Sequence, residues 1–91
     1  MKTNVSISKG CYGKNKDNFT CINIGNITLY FSYETIIAFA TPESGLIVSK
    51  NEWGTTTGKH LNYICPDHKK RVEFQEFSEL FDKYVGSKFI I

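Results

Sequence analysis

The stretch FTCINIGNITLYF, Phe19 to Phe31, carries two runs of alternating apolar and polar residues on either side of Gly25-Asn26. Gly-Asn is the chemistry of a two-residue hairpin loop, because both residues tolerate the positive φ that such turns demand. A two-residue loop fixes the register. Ile24 pairs with Ile27, Asn23 with Thr28, Ile22 with Leu29, Cys21 with Tyr30 and Thr20 with Phe31. One face then collects Ile22, Ile24, Ile27, Leu29 and Phe31, and Asn23 and Thr28 are expected to point outward with Cys21 and Tyr30. A slip of one residue would turn one strand over and separate the two apolar rows.

Working outward, Ile36 to Thr41 and Leu46 to Ser49 flank Pro42-Glu43-Ser44-Gly45, four residues that favour turns, so a second hairpin is expected. The run Ile36-Ile37-Ala38-Phe39-Ala40 is apolar without alternation. That pattern suits a strand covered on both faces or lying centrally, and over so short a span a buried helical turn from Tyr33 to Ala40 fits it as well. Asn4 to Ser8 reads as a first strand with Val5 and Ile7 on one side. Lys9 to Asp17, with three Lys and two Gly and no apolar period, reads as a surface loop. Trp53 to Asn62 admits a short helix near 55–63 with a threonine as its cap, although Gly58 weakens it. Pro66-Asp67 marks a turn.

Glu73 to Val85 is the long helix. At 100° per residue Phe74, Phe77, Leu80, Phe81, Tyr84 and Val85 share one broad face. Gly86 stands where a C′ glycine ends a helix, and Lys83 suits the negative end of the helix dipole. Lys88-Phe89-Ile90-Ile91 closes the chain as an edge strand or an apolar tail. The expected fold class is α+β: an antiparallel sheet of four to five strands, built as two consecutive hairpins, with the C-terminal helix over one face. Residues 1–91 form one domain, since 91 residues rarely divide into two cores.

Composition narrows the chemistry. Eleven Lys and Arg against nine Asp and Glu leave a net charge of +2, too mild to announce a nucleic-acid binder. No apolar run approaches the ~18 residues of a membrane span, and no secretory h-region follows Met1. Cys11, Cys21 and Cys65 make an odd count with no CxxC pair, which points to free thiols in a reducing, cytoplasmic setting. Cys21 reads as a small hydrophobe.

Gly54-Thr-Thr-Thr-Gly58-Lys59 invites comparison with a phosphate-binding loop. The loop needs four residues between its glycines and a hydroxyl after the lysine, whereas three residues and His60 stand here. His60, Cys65 and His68 could chelate, with Cys11 or Cys21 as a fourth ligand, yet the paired knuckles of a zinc site are missing. No metal and no cofactor are therefore expected. Cys65 lacks the local signature of a nucleophile, and a small sheet offers little concave volume for a substrate, so no catalytic residues are assigned.

Charge is distributed more tellingly than its total. Lys59, His60, Tyr63, His68, Lys69, Lys70 and Arg71 form a basic segment that could track phosphates, with the aromatic stacked on a base. Glu73, Glu76, Glu79 and Asp82 then form a carboxylate stripe at three-residue spacing. A solvated amphipathic helix accounts for the stripe; the sharper alternative is an acidic edge that competes for a basic groove on another protein.

The stretch from Ile27 to Phe77 resembles a family of small proteins of phages and prophages of low-GC bacteria. The resemblance lies in Leu29-Tyr30-Phe31-Ser32-Tyr33, Ile37-Ala38-Phe39, the Gly45 turn, Ile47-Val48-Ser49 and Trp53. It continues through Thr56-Thr57-Gly58-Lys59-His60-Leu61-Asn62, the most specific block, and the junction from Lys70-Arg71 to Glu76-Phe77. It brings no catalytic residues. It implies a mobile-element origin, a cytoplasmic setting, and a protein that binds and blocks a host factor, for example an anti-CRISPR inhibitor of a host nuclease. On that reading Glu73, Glu76, Glu79, Asp82, Trp53, Lys59 and His60 form the partner-binding set. The alternative is a nucleic-acid-binding accessory module using Lys59, His60, Tyr63, Lys69, Lys70 and Arg71. A homodimer through the Phe89-Ile90-Ile91 tail is a third arrangement.

Overall fold

A computed structural model describes residues 18–86 and the backbone of 5–9. Strands β1 (Val5–Lys9), β2 (Phe19–Ile24), β3 (Ile27–Ser32), β4 (Thr35–Thr41) and β5 (Gly45–Val48) precede helix α1 (Thr55–Ile64), a 3-10 turn (His68–Lys70) and helix α2 (Phe74–Tyr84). The five strands form one antiparallel sheet in sequence order, a meander of consecutive hairpins. The fold is α+β.

The first hairpin adopts the register its alternation requires, Ile24 opposite Ile27 through Thr20 opposite Phe31. Of its two loop residues only Gly25 takes a positive φ, 60°. That is the demand of a turn with glycine in the first central position. In the second hairpin Gly45, at φ 69°, pairs with Thr41, so three residues rather than four lie between the strands. Thr41 Oγ1 accepts the Ser44 backbone N–H at 2.9 Å and closes that loop.

The run Ile36 to Ala40 is strand, and its missing alternation has a specific cause. Tyr30 faces Ala38 while Phe31 faces Ile36, so Ile37 is an extra residue on β4. Such a bulge sets two successive side chains toward the same side. Ile37 and Ala38 both join the core formed with Phe19, Cys21, Val48 and Leu61 of α1, whereas Phe39 joins Ile27, Leu29, Phe77 and Val85 on the α2 side. One helix therefore covers each sheet face: the short helix expected near 55–63 forms as α1 and takes the face opposite the C-terminal helix. Cys21 and Tyr30 do not point outward; they pack under α1. Burying a Phe such as Phe39 or Phe77 contributes about 2 kcal/mol.

Chain ends of the helices depart from the expected chemistry. Gly54, not a threonine, occupies the N-cap of α1 and gives no side-chain bond. α1 is held by its inward residues Thr57, His60 and Leu61. Gly86 follows the C-cap of α2, Val85, without entering the left-handed region. Beyond β5, Val72 docks beside Ser49 in a single parallel bridge, with Val72 N–H to Val48 O at 2.9 Å and Lys50 N–H to Val72 O at 2.8 Å. This bridge carries the chain from the α1 side of the sheet to the α2 side. Side chains of Val5 and Ile7, the loop at 10–17, and the tail with its proposed dimer contact lie outside the described residues. No helix among the described residues is long and apolar enough to cross a membrane.

The turn between β3 and β4 holds the one non-glycine positive φ among the described residues, Tyr33 at 56°. Its side chain is 53% exposed, so little packing compensates the roughly 1–2 kcal/mol that a left-handed L-residue costs. Asn tolerates this conformation. Tyr33→Asn is expected to raise the unfolding free energy by ~0.5–1 kcal/mol in a urea titration; a loss of stability would show that the tyrosine ring packs more than its exposure indicates.

Candidate functional site: a cationic groove beside helix α1

Three separate segments meet along one side of α1. Lys50 and Asn51 follow β5, Thr55, Gly58, Lys59 and Asn62 come from α1, and His68, Lys69 and Arg71 come from the 3-10 turn and the residue after it. They line a groove of about 900 Å³. Four of these nine residues are permanent cations, and no carboxylate lines the groove among the described residues. Local sequence explains the placement. Asp67 Oδ1 accepts the Lys69 N–H at 3.0 Å and starts the 3-10 turn, which sets His68 and Lys69 along one rim. Lys59, one turn before Asn62, lies on the opposite wall.

Arg71 forms the floor and is only 7% exposed. Its Nε and Nη2 donate to the Cys65 carbonyl at 3.2 and 2.9 Å, and Nη2 also donates to Asn62 Oδ1 at 2.8 Å. Cys65 is the C-cap of α1, so the guanidinium satisfies a helix-end carbonyl and meets the negative end of the dipole. Asn62 Oδ1 also pairs with His68 Nε2 at 3.1 Å. Lys50 forms an ion pair with Glu73, which draws its charge to the edge of the groove. Lys59 and Lys69 are exposed, and their ammonium groups have no partner among the described residues. These two are the cations available to a ligand.

The basic residues anticipated from the sequence are thus only partly brought together. Lys59, Lys69 and Arg71 share the groove with His68, while Lys70 is exposed outside its lining and Tyr63, 55% exposed, lies outside it too. His60 is turned the other way. It is 3% exposed, and its Nδ1 hydrogen-bonds the Ser32 hydroxyl at 2.7 Å; the same hydroxyl meets Thr57 Oγ1 at 2.7 Å. Phe19 packs against the imidazole with centroids 5.0 Å apart and the rings tilted by 33°. As a surface contact for nucleic acid or a partner, His60 is therefore corrected to a buried clasp between β3 and α1. The spacing Thr57, His60, Leu61, Ile64 is the signal that could have shown it, because residues three and four apart share a helix face.

His60, Cys65 and His68 do not converge. Cys65 Sγ donates to the Asp67 carbonyl at 3.4 Å, His68 stands on the groove rim, and no group of three metal-ligating side chains forms among the described residues. Cys21 and Cys65 are free thiols, Cys21 buried; Cys11 lies outside the described residues. The carboxylates Glu76, Glu79 and Asp82 are exposed along α2, on the helix of the opposite layer, and Glu73 at its start is engaged with Lys50.

A second, smaller cleft of about 350 Å³ adjoins the N-terminal end of α1, lined by Tyr33, Thr35, Trp53, Thr55 and Thr56. Trp53 is half-buried and meets Phe74 edge-on at 5.6 Å, with the rings at 89°. Asn51 fixes its backbone: Oδ1 accepts the Trp53 N–H at 2.9 Å, and Nδ2 donates to the Gly54 carbonyl at 3.3 Å.

The fold and groove define a small α+β domain, a meander sheet with one helix on each face and a cationic trough beside the first helix. Residues 6–79 match the model of a family described as "Family of unknown function (DUF8033)", and the chain belongs to that family. Neither the curated proteins nor the solved structures yield a match.

The Ser32 hydroxyl serves two buried partners at once, so its removal leaves Thr57 and His60 short of a hydrogen bond. Ser32→Ala is expected to cost about 1–3 kcal/mol of stability in chemical denaturation. A change under about 0.5 kcal/mol would show that the clasp contributes nothing to holding α1 on the sheet.

Proposed function

We propose that the domain is a nucleic-acid-binding module that takes the phosphate backbone along the groove beside α1. The observation that supports this best is the segregation of charge. A chain with a net charge of +2 places Lys50, Lys59, Lys69 and Arg71 around one concavity that no carboxylate lines among the described residues. Glu76, Glu79 and Asp82 stand on the helix of the other layer, and Glu34, Glu43, Glu52 and Asp67 lie in turns and loops outside the lining. Cations spaced along a groove bind a polyanion by releasing its condensed counterions. Lys59 and Lys69 supply the free ammonium groups, and Asn51, Thr55 and Asn62 bring uncharged polar side chains to the same walls. Arg71, already committed to Cys65 and Asn62, shapes the floor and adds its field without giving up its bonds.

Binding should be weak at physiological salt and rise as salt falls. In fluorescence anisotropy with a labelled oligonucleotide, Lys59→Glu and Lys69→Glu should each make the log–log salt dependence shallower by roughly 0.7–0.9, one phosphate contact apiece. Far-UV circular dichroism should stay unchanged, since both side chains are exposed. No binding at ~50 mM salt, or a slope indifferent to both variants, removes the reading.

A second reading is favoured by the outer face of α2. Glu76, Glu79 and Asp82 stand exposed in a row with no ion pair among the described residues. Complementary potentials steer such a face toward a basic surface on another protein. Joined to the phage resemblance, this supports an anti-defence protein that occupies the nucleic-acid groove of a host CRISPR-type nuclease. Glu76→Lys with Glu79→Lys should abolish inhibition in a nuclease assay while the melting temperature holds; undiminished inhibition counts against the acidic face.

A further inference from the structure

We infer that the cationic groove runs on into a base-stacking cleft, so that its polyanion is single-stranded nucleic acid with one base seated against Tyr33 and Trp53. This rests on the groove reading and adds to it the form of the ligand. Thr55 lines both concavities, which makes them neighbours at the start of α1. The phosphate side has the free ammonium groups; the cleft side has two aromatic rings in a setting otherwise lined largely by threonines. A backbone-tracking cation row beside aromatic platforms is the arrangement that binds unpaired bases, since every base has a π-face. In a duplex those faces are covered by neighbouring pairs. A cleft of about 350 Å³ admits one small planar group and not a double helix.

Trp53 packs one side against the core under α1 and is fixed at the rim as well. There it is set by the edge of Phe74 and by Asn51, whose side chain also lines the cationic groove, so one residue links the ring to the groove wall. Tyr33 keeps a left-handed backbone at φ 56° with half its side chain in solvent. Strained residues cluster at ligand clamps, and an exposed aromatic kept in such a conformation beside a cleft fits one. The domain gives up stability at Tyr33 and places a ring over the cleft.

Trp53 is the sole tryptophan, so its emission reports the cleft directly. The protein is titrated at ~50 mM salt with a short oligothymidylate, an abasic oligonucleotide of equal length and a duplex, following tryptophan fluorescence and the anisotropy of the labelled strand. Oligothymidylate should quench Trp53 and bind about tenfold tighter than the abasic strand, the worth of roughly one stacked base. Tyr33→Asn should bring oligothymidylate down toward the abasic affinity while raising the melting temperature, which separates lost stacking from lost folding. Equal affinity for the two single strands with unchanged emission overturns the cleft and leaves the groove standing. Tighter binding of the duplex overturns the single-strand assignment, and failure of all three probes to bind overturns both.

Discussion

The guanidinium of Arg71 sits almost wholly out of water, and its nitrogens converge on the carbonyl of Cys65 and the side chain of Asn62 where α1 ends. A buried cation left without partners would cost several kcal/mol, so this position tolerates Arg71 only while α1 ends at that point and in that orientation. The residue after it, Val72, is bonded to Val48 and Lys50 at the edge of β5. Arg71 is thereby fixed to the sheet on one side and to α1 on the other. The groove exists because these two attachments hold the 3-10 turn, with His68 and Lys69, across from Lys59.

A second set of contacts fixes the other end of the same helix. Ser32, Thr57 and His60 form a buried hydrogen-bonded cluster under α1, capped by the Phe19 ring, and Ile37 and Ala38 fill the space beside it because the β4 bulge turns both toward that face. The sheet is packed by α1 on one side and α2 on the other, and the groove is built on the α1 side alone. Tyr33 follows Ser32 directly, so the strained turn is anchored by the residue that holds α1 down. Polar clasp, strained turn and cleft are parts of one structural unit.

How much of this could be read in advance depends on distance along the chain. The β2–β3 register follows from Gly25 and an alternation that permits one pairing, both local, and α2 follows from a clean helical stripe. The bulge at Ile37 left only a negative trace, an apolar run without period, which allowed strand or helix. The short helix near 55–63 was legible, but not that it covers a sheet face, because α1 carries Gly58, lacks a side-chain cap and hides polar residues on its inner face. His60 looked like part of a basic run in one dimension; three-dimensional placement reverses it. The groove itself is assembled from residues 50–51, 55–62 and 68–71, and no short pattern announces that those segments meet. Lys50 in particular lies apart from the basic segment of Lys59 to Arg71, and Arg71 reads in the sequence as one more exposed cation. Tyr33 was legible only as part of a family-like block, because a positive φ at tyrosine has no sequence signature.

The central claim is that ligand contacts gather on one side of α1 and leave the outer face of α2 untouched. Amide chemical-shift mapping of the uniformly 15N-labelled protein with a single-stranded oligonucleotide tests it most directly. The largest shifts should fall on Asn51, Lys59, Asn62 and Lys69, extending to Tyr33 and Trp53, with Glu76, Glu79 and Asp82 still. Shifts concentrated on those three carboxylates, or spread evenly over both layers, would contradict the account.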